Sequence, residues 1–214
     1  MAGQLGIPEP IREVLPPIQG AHVLHLQCGT GESTAELVEL GGLVTAVDIS
    51  LAGLDAARER APSVVFIDAD VHDLPLELRR HRFDLVYTGG GVLRWLHDLD
   101  AWAAGVAAAL KPGGIFFLYD QHPVAGCIDH LAHWRGDYFD EGVDVSVGLT
   151  QAELPGEPTV EEEHERHWRL GQVVNAVADA GLTVRRLEEL RTLLESVRHD
   201  KRIPGHFLLT AEKA

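Results

Sequence analysis

Val23-Leu-His-Leu-Gln-Cys-Gly-Thr-Gly31 is the stretch on which the fold of this 214-residue chain turns. Val23, Leu24 and Leu26 give Ala21–Gln27 the short apolar run of a buried strand. Gly29 and Gly31 then allow left-handed backbone and close approach of a ligand. Behind them Leu37, Val38 and Leu40 fall at helical spacing, which predicts a helix over Thr34–Leu40, stopped by Gly41-Gly42. That helix would present unpaired N–H groups toward the turn. A Gly-x-Gly turn alone is weak evidence, because many tight turns contain one.

What lies downstream strengthens it. Leu43–Val47 is a second apolar run, and it ends on Asp48, seventeen residues after Gly31, in Ala-Val-Asp-Ile-Ser. A carboxylate there can accept hydrogen bonds from both hydroxyls of a ribose. The competing reading is a cap for the helix predicted over Leu51–Ala61, a task Ser50 can perform instead. Val64–Ile67, Phe83–Tyr87 and Ile115–Tyr119 read as further strands, with an amphipathic helix over Leu99–Leu110 and turn chemistry at Lys111-Pro-Gly-Gly114. Five β-α repeats predict a parallel sheet with helices on both faces, and a ligand site outside the strands' carboxyl ends. Arg79, Arg80 and Arg82 are read as a solvated helix end.

Beyond the fifth strand the pattern breaks. Residues 121–163 carry Pro, Gly, acidic and aromatic residues without sustained periodicity, and Glu161-Glu-Glu163 reads as a solvated turn. A helix resumes near Trp168, with Leu170, Val173, Val174, Val177 and Ala180 on one face and Gly181 as its stop. Leu182–Leu190 and Phe207–Glu212 read as two final strands. The expectation is one domain over 1–214, with residues 1–19 as an N-terminal cap or a partly ordered arm and 121–163 as a substrate-covering insertion.

Taken in order, these segments resemble the class I S-adenosylmethionine-dependent methyltransferases over roughly residues 20–212. The glycine turn is similar to that family's motif I. Asp48 matches its ribose-binding acid, with Ile49 as an adenine contact. Ala69-Asp70-Val71-His-Asp-Leu-Pro75 is similar to the segment that caps the adenine. There Asp70 would accept from the adenine amino group, and the Val71 N–H would meet a ring nitrogen. Phe83-Asp-Leu-Val-Tyr-Thr88 resembles motif IV, whose following backbone holds the methionine amino group. The resemblance implies a seven-stranded Rossmann-like α/β sandwich, strand order 3-2-1-4-5-7-6, with the last strand antiparallel and a lid insertion after strand 5. It also implies S-adenosylmethionine as cofactor and S-adenosylhomocysteine as product.

Two positions depart from the family pattern. His25 stands where motif I has an acid, and Gln27 where it has its first glycine. A neutral imidazole can accept one hydrogen bond but cannot replace a carboxylate opposite a cation. Cys28 reads as a small buried filler. A nicotinamide-binding fingerprint would require glycine at position 34, which is threonine. The expected cofactor residues are therefore His25, Gln27, Gly29, Gly31, Asp48, Ile49, Asp70, Val71 and Thr88.

Methyl transfer is an in-line displacement served by holding the acceptor at attack distance, with a base only where a proton must leave. His122, just after the fifth strand, His167 and Tyr87 are the catalytic candidates. His133 and Trp95 are weaker lining candidates. The pairs His130/His133 and His164/His167, with Asp129 and Asp137 near, match no metal-ligand motif, and no metal is expected. The formal net charge of −15 and the absence of a dense Lys/Arg cluster argue against nucleic acid and anionic membranes. Two cysteines, no signal-peptide pattern and no long apolar span point to the cytoplasm. Only three lysines, beside abundant Ala, Arg and Gly, fit a GC-rich bacterial genome and natural-product tailoring. The reading is transfer to an O, N or C atom of a small-molecule acceptor by a monomer or homodimer. The alternatives are a repurposed cyclase or isomerase, or a non-catalytic binding module.

Overall fold

The computed structural model describes residues 6–129, 133–140, 143–149, 160–192 and 202–214. Strands β1 (His22–Leu26), β2 (Leu43–Asp48), β3 (Val65–Asp68), β4 (Phe83–Gly89) and β5 (Leu110–Gln121) pair in parallel. A two-stranded sheet follows, β6 (Val143–Leu149) with β7 (Val160–Arg166), then β8 (Leu182–Leu190) and β9 (His206–Lys213). The large sheet runs β3-β2-β1-β4-β5-β9-β8, with β9 antiparallel to both neighbours. Counting only its own strands, that is the expected order 3-2-1-4-5-7-6.

Helices α1 (Glu9–Arg12), α2 (Glu32–Glu39), α3 (Leu51–Arg60), α4 (Leu99–Ala109), α5 (Pro123–Gly126) and α6 (Leu170–Asp179) complete the molecule. Their limits follow local chemistry. The Ser50 hydroxyl accepts from Gly53 N at 3.1 Å and caps α3, leaving Asp48 free of that task. Asp98 caps α4 in the same way, accepting from Ala101 N at 2.9 Å. Gly181, at φ +85°, ends α6 in the left-handed conformation glycine adopts without steric cost.

Alternation along the strands divides the core. Leu24, Leu26, Val86, Phe116 and Leu118 face α4 and α6, meeting Trp102, Val106, Val173 and Val177. Val23, Leu85, Phe117 and Tyr119 face the other way, onto Leu37 of α2 and the N-terminal residues Ile7, Ile11 and Ile18. Trp102 and Phe116 are fully buried and meet edge to face, 5.5 Å between centroids. Each such side chain contributes roughly 2–3 kcal/mol by burial.

Three expectations are corrected. No helix joins β3 to β4; residues 69–82 form turns, so Arg79, Arg80 and Arg82 do not end a helix. His81 sits there at φ +52°, a backbone incompatible with helix. The segment after β5 is not without regular structure, since β6 and β7 pair from Val143–Arg166 to Leu149–Val160. Glu161-Glu-Glu163 belongs to β7 rather than to a turn, because backbone pairing with Ser146–Gly148 sets its conformation. Among the described residues no helix is long and apolar enough to cross a membrane.

Candidate active site

The carboxyl ends of β1, β2 and β4 converge on the glycine turn. Asp48, last in β2, accepts from Gly29 N through Oδ2 at 2.7 Å and from Ser50 N through Oδ1 at 2.8 Å. Each oxygen keeps a lone pair for a further donor. Gly29 lies at φ +53° with nothing within 4 Å of the space a Cβ would fill, so the turn is open above it. Gly31, at φ +83°, is different: a Cβ there would meet Ala57 Cβ at 2.7 Å, and its bareness lets α2 approach α3. Gly90 and Gly91, after β4, are also left-handed with open space above them. Glycine backbone therefore borders the site on two sides. Ile49, 69% exposed, stands beside Asp48 with its apolar face uncovered.

The two departures from motif I turn out to be structural ties. His25 is buried, with Nδ1 2.8 Å from Thr34 Oγ1, and it joins β1 to α2. Burial lowers its pKa to about 3, so the ring is neutral. Gln27 adopts φ +54°, the left-handed conformation for which glycine is suited. Its Nε2 donates to Val92 O at 3.1 Å, across to the loop after β4. Thr88 is buried, with its hydroxyl 3.3 Å from Leu26 O, so its side chain binds β4 to β1.

Asp120 is a residue the sequence reading passed over. Buried at the end of β5, it accepts from Val92 N at 3.0 Å, Leu93 N at 2.9 Å and Gln121 N at 2.6 Å. Burial pushes its pKa up to about 6 against the lowering effect of these bonds and of Arg94. The Val92–Leu93 peptide is thus held from both sides, its Leu93 N–H by Asp120 and its Val92 carbonyl by Gln27. No sequence pattern marks this arrangement, which joins three separate strand ends.

In the 69–75 segment, Asp70 Oδ1 accepts from His72 N at 2.9 Å and lies 2.6 Å from His72 Nδ1. Partial burial would raise the Asp70 carboxyl, but the two hydrogen bonds from His72 hold it below its ordinary value. Val71 is buried.

The proposed catalytic residues do not converge. Tyr87 is 1% exposed, stacked on Phe117 at 5.8 Å in the α2-side core, and burial raises its phenol pKa. His122 caps α5: Nδ1 accepts from Val124 N at 3.1 Å, which leaves the proton on Nε2, 3.0 Å from Glu189 Oε1. Desolvation lowers the His122 pKa, partly opposed by Glu189. His167 lies beside Gly126 of α5, its ring 5.8 Å from that of Tyr138. Trp95, Trp134 and Phe139 are the exposed aromatics nearby in sequence. His133 Nδ1 is 3.7 Å from Asp129, whose Oδ2 also accepts from Arg135 Nε at 2.8 Å. His130 lies outside the described residues. Among the described residues no three His, Cys, Asp or Glu side chains form a metal-holding group.

The 143–166 hairpin meets this region at the turn before α4. Arg94 joins Glu165 at 3.1 Å and Gln121 at 2.7 Å. Arg166 donates to His97 O at 2.9 Å, and Trp168 Nε1 to Leu96 O at 2.8 Å.

A parallel sheet whose first βα turn is open glycine, with an acid closing it from the second strand, is the arrangement of Rossmann-like folds. Residues 23–114 match a family model described as a methyltransferase domain. An uncharacterized methyltransferase of Synechocystis sp. is 36% identical over 108 residues, 48% of each chain. The chain spans half or less of the length of the curated relatives it matches, 48%, 42% and 42% for three of them. Among solved structures, an S-adenosylmethionine-dependent methyltransferase from Mesorhizobium loti is similar at TM-score 0.76 and 25% identity, over 95% of this chain and 96% of that one. A putative S-adenosylmethionine-dependent methyltransferase from Listeria monocytogenes shares the fold at TM-score 0.76 and 21% identity, over 96% of both chains. Residues 23–114 thus resemble a methyltransferase domain, and the chain shares its fold with S-adenosylmethionine-dependent methyltransferases.

Proposed function

We propose that this protein binds S-adenosylmethionine across the Gly29–Gly31 turn and transfers its methyl group to a small-molecule acceptor. The observation that carries the reading is the Asp48 carboxylate, held at 2.7 Å by Gly29 N with lone pairs to spare beside an open glycine backbone. That arrangement suits a ribose diol, with the adenine against exposed Ile49 and within reach of Asp70 and the Val71 N–H. The open backbone of Gly90 and Gly91 suits the methionine end. When bound, the cofactor supplies an electrophilic methyl on a sulfonium. The protein's own work is then to hold the acceptor in line and exclude water.

Base catalysis by His122 has little support in its geometry, because its acceptor nitrogen is taken by Val124 N. Tyr87 has no exposed face. The reading is therefore catalysis by positioning, with the 121–163 insertion and Trp95 shaping the acceptor pocket and His167 the remaining candidate for a proton acceptor. A partly apolar acceptor suits the exposed Trp95, Trp134 and Phe139.

One observation favours a second reading. His25 is neutral and committed to Thr34, so the motif I acid has no electrostatic substitute here. Such a site could retain the cofactor and catalyse a cyclisation or rearrangement instead.

The test is calorimetric titration of S-adenosylhomocysteine into the wild type and Asp48→Asn, each checked for folding by thermal unfolding. One-to-one binding, weakened at least tenfold in the variant, is expected. A folded wild type that binds nothing overturns the proposal. Product mass then separates the readings, since methylation adds one methyl and a cyclase yields an isomer.

A further inference from the structure

His72 takes no part in the site as the family resemblance draws it, yet both nitrogens of its ring are hydrogen-bonded beside that site. Its ring is 10% exposed while the Asp70 side chain it meets is 44% exposed. Nδ1 lies 2.6 Å from Asp70 Oδ1, and the His72 backbone N–H reaches the same oxygen at 2.9 Å. On the other side of the ring, the His97 backbone N–H points at Nε2, 3.3 Å away. A backbone N–H can only donate, so Nε2 must carry the lone pair and Nδ1 the hydrogen. The His97 ring packs on the His72 ring at 3.7 Å between centroids, fixing its plane.

The tautomer decides what Asp70 can offer. Oδ1 receives two donors from one residue, which pins the carboxylate and leaves Oδ2 outside both bonds. Both bonds favour the ionised form, an acceptor with no hydrogen to give. A carboxylate fixed in this state accepts from an exocyclic amino group and opposes a carbonyl in the same place.

We infer that His72 is a positioning residue which holds Asp70 as an oriented acceptor, and so makes the cofactor site selective for a 6-aminopurine over a 6-oxopurine. The inference rests on the proposed cofactor reading and deepens it. The His97 backbone completes the device from the turn before α4, the same turn that receives Arg166 and Trp168. The nucleobase end of the site and the base of the hairpin therefore share one anchor.

The test compares two ligands, S-adenosylhomocysteine and S-inosylhomocysteine, in which hypoxanthine replaces adenine. Affinities are measured by calorimetry for the wild type, His72→Ala and His72→Asn, with thermal unfolding as the folding control. The wild type should prefer the adenine ligand by tenfold or more. His72→Ala should lose most of that preference, chiefly by weaker binding of the adenine ligand. His72→Asn, whose side-chain N–H can take the place of Nδ1–H, should recover it. An unchanged preference in folded His72→Ala overturns the inference and leaves the cofactor reading intact. A folded wild type that binds neither ligand overturns both. Equal loss of both ligands in His72→Ala, without recovery in His72→Asn, shows a merely structural role and also overturns the inference.

Discussion

Gln27 Nε2 donates to Val92 O at 3.1 Å from a backbone held at φ +54°. A non-glycine residue in this conformation is strained by about 1–2 kcal/mol. A hydrogen bond of this kind returns about 1 kcal/mol. The residue that removes a family glycine thus offsets the strain by bracing the loop after β4.

Separate variants resolve the two contributions. Gln27→Ala keeps the strain and loses the bond, and it should destabilise by about 1 kcal/mol. Gln27→Gly loses both and should lie within about 1 kcal/mol of the wild type. Urea denaturation of the pair measures the difference, and an alanine variant as stable as the glycine one would contradict the assignment.

Gly29 and Gly31 should respond differently to alanine. At Gly29 the added methyl enters open space, so the stability loss is the backbone strain, about 1–2 kcal/mol, while ligand approach is blocked. At Gly31 the methyl collides with Ala57 as well, and the loss should exceed that at Gly29 by at least about 1 kcal/mol. Gly29→Ala should weaken S-adenosylhomocysteine at least tenfold in a folded protein. Unimpaired binding by that variant would place the ligand elsewhere.

Asp120 and His25 should impose opposite pH dependences. Asp120 has its carboxyl raised to about 6 by burial, above the unfolded value near 4. Between those limits the unfolded chain has released a proton that the folded one retains, so stability falls as pH rises through that window, by up to about 3 kcal/mol. His25 has its pKa lowered to about 3, below the unfolded value near 6.5. There the unfolded chain binds the extra proton, so stability falls as pH drops below about 6.5. Denaturation curves from pH 4 to 7 for the wild type, Asp120→Asn and His25→Gln separate the two. Parallel curves for wild type and Asp120→Asn would refute the first assignment.

Trp168 and Leu96 should anchor the hairpin. Trp168→Phe keeps the ring's bulk and deletes the 2.8 Å bond to Leu96 O, at about 1 kcal/mol. Hydrogen exchange should rise in residues 160–168 while the β1, β4 and β5 amides keep their protection. A uniform rise across the sheet would mean that the bond supports the whole fold.

Much of the architecture could be read from the chain. The apolar runs at β1, β2, β4 and β5 are buried by helices on both faces, and such strands are legible from composition alone. Ser50 before α3 and Gly181 after α6 marked helix ends by their own backbone chemistry. Even β6 carries a period-2 signal, Val143, Val145, Val147 and Leu149 alternating with Asp144, Ser146 and Gly148. Its partner β7, Val-Glu-Glu-Glu-His-Glu-Arg, has no apolar alternation to report, so pairing alone makes it a strand.

By itself the sequence determined the strands of the large sheet, most of its helices and the acid-and-glycine spacing of the candidate site, because burial on one face and backbone freedom are local properties. Only the tertiary structure decided what individual polar side chains do. His25 serves Thr34, His122 caps α5, Gln27 and Asp120 grip the Val92–Leu93 peptide from two strand ends, and His72 takes its tautomer from the His97 backbone. Each of these depends on a partner distant in sequence or on a fixed ring orientation, and a hydrogen bond has no meaning until direction and distance are set.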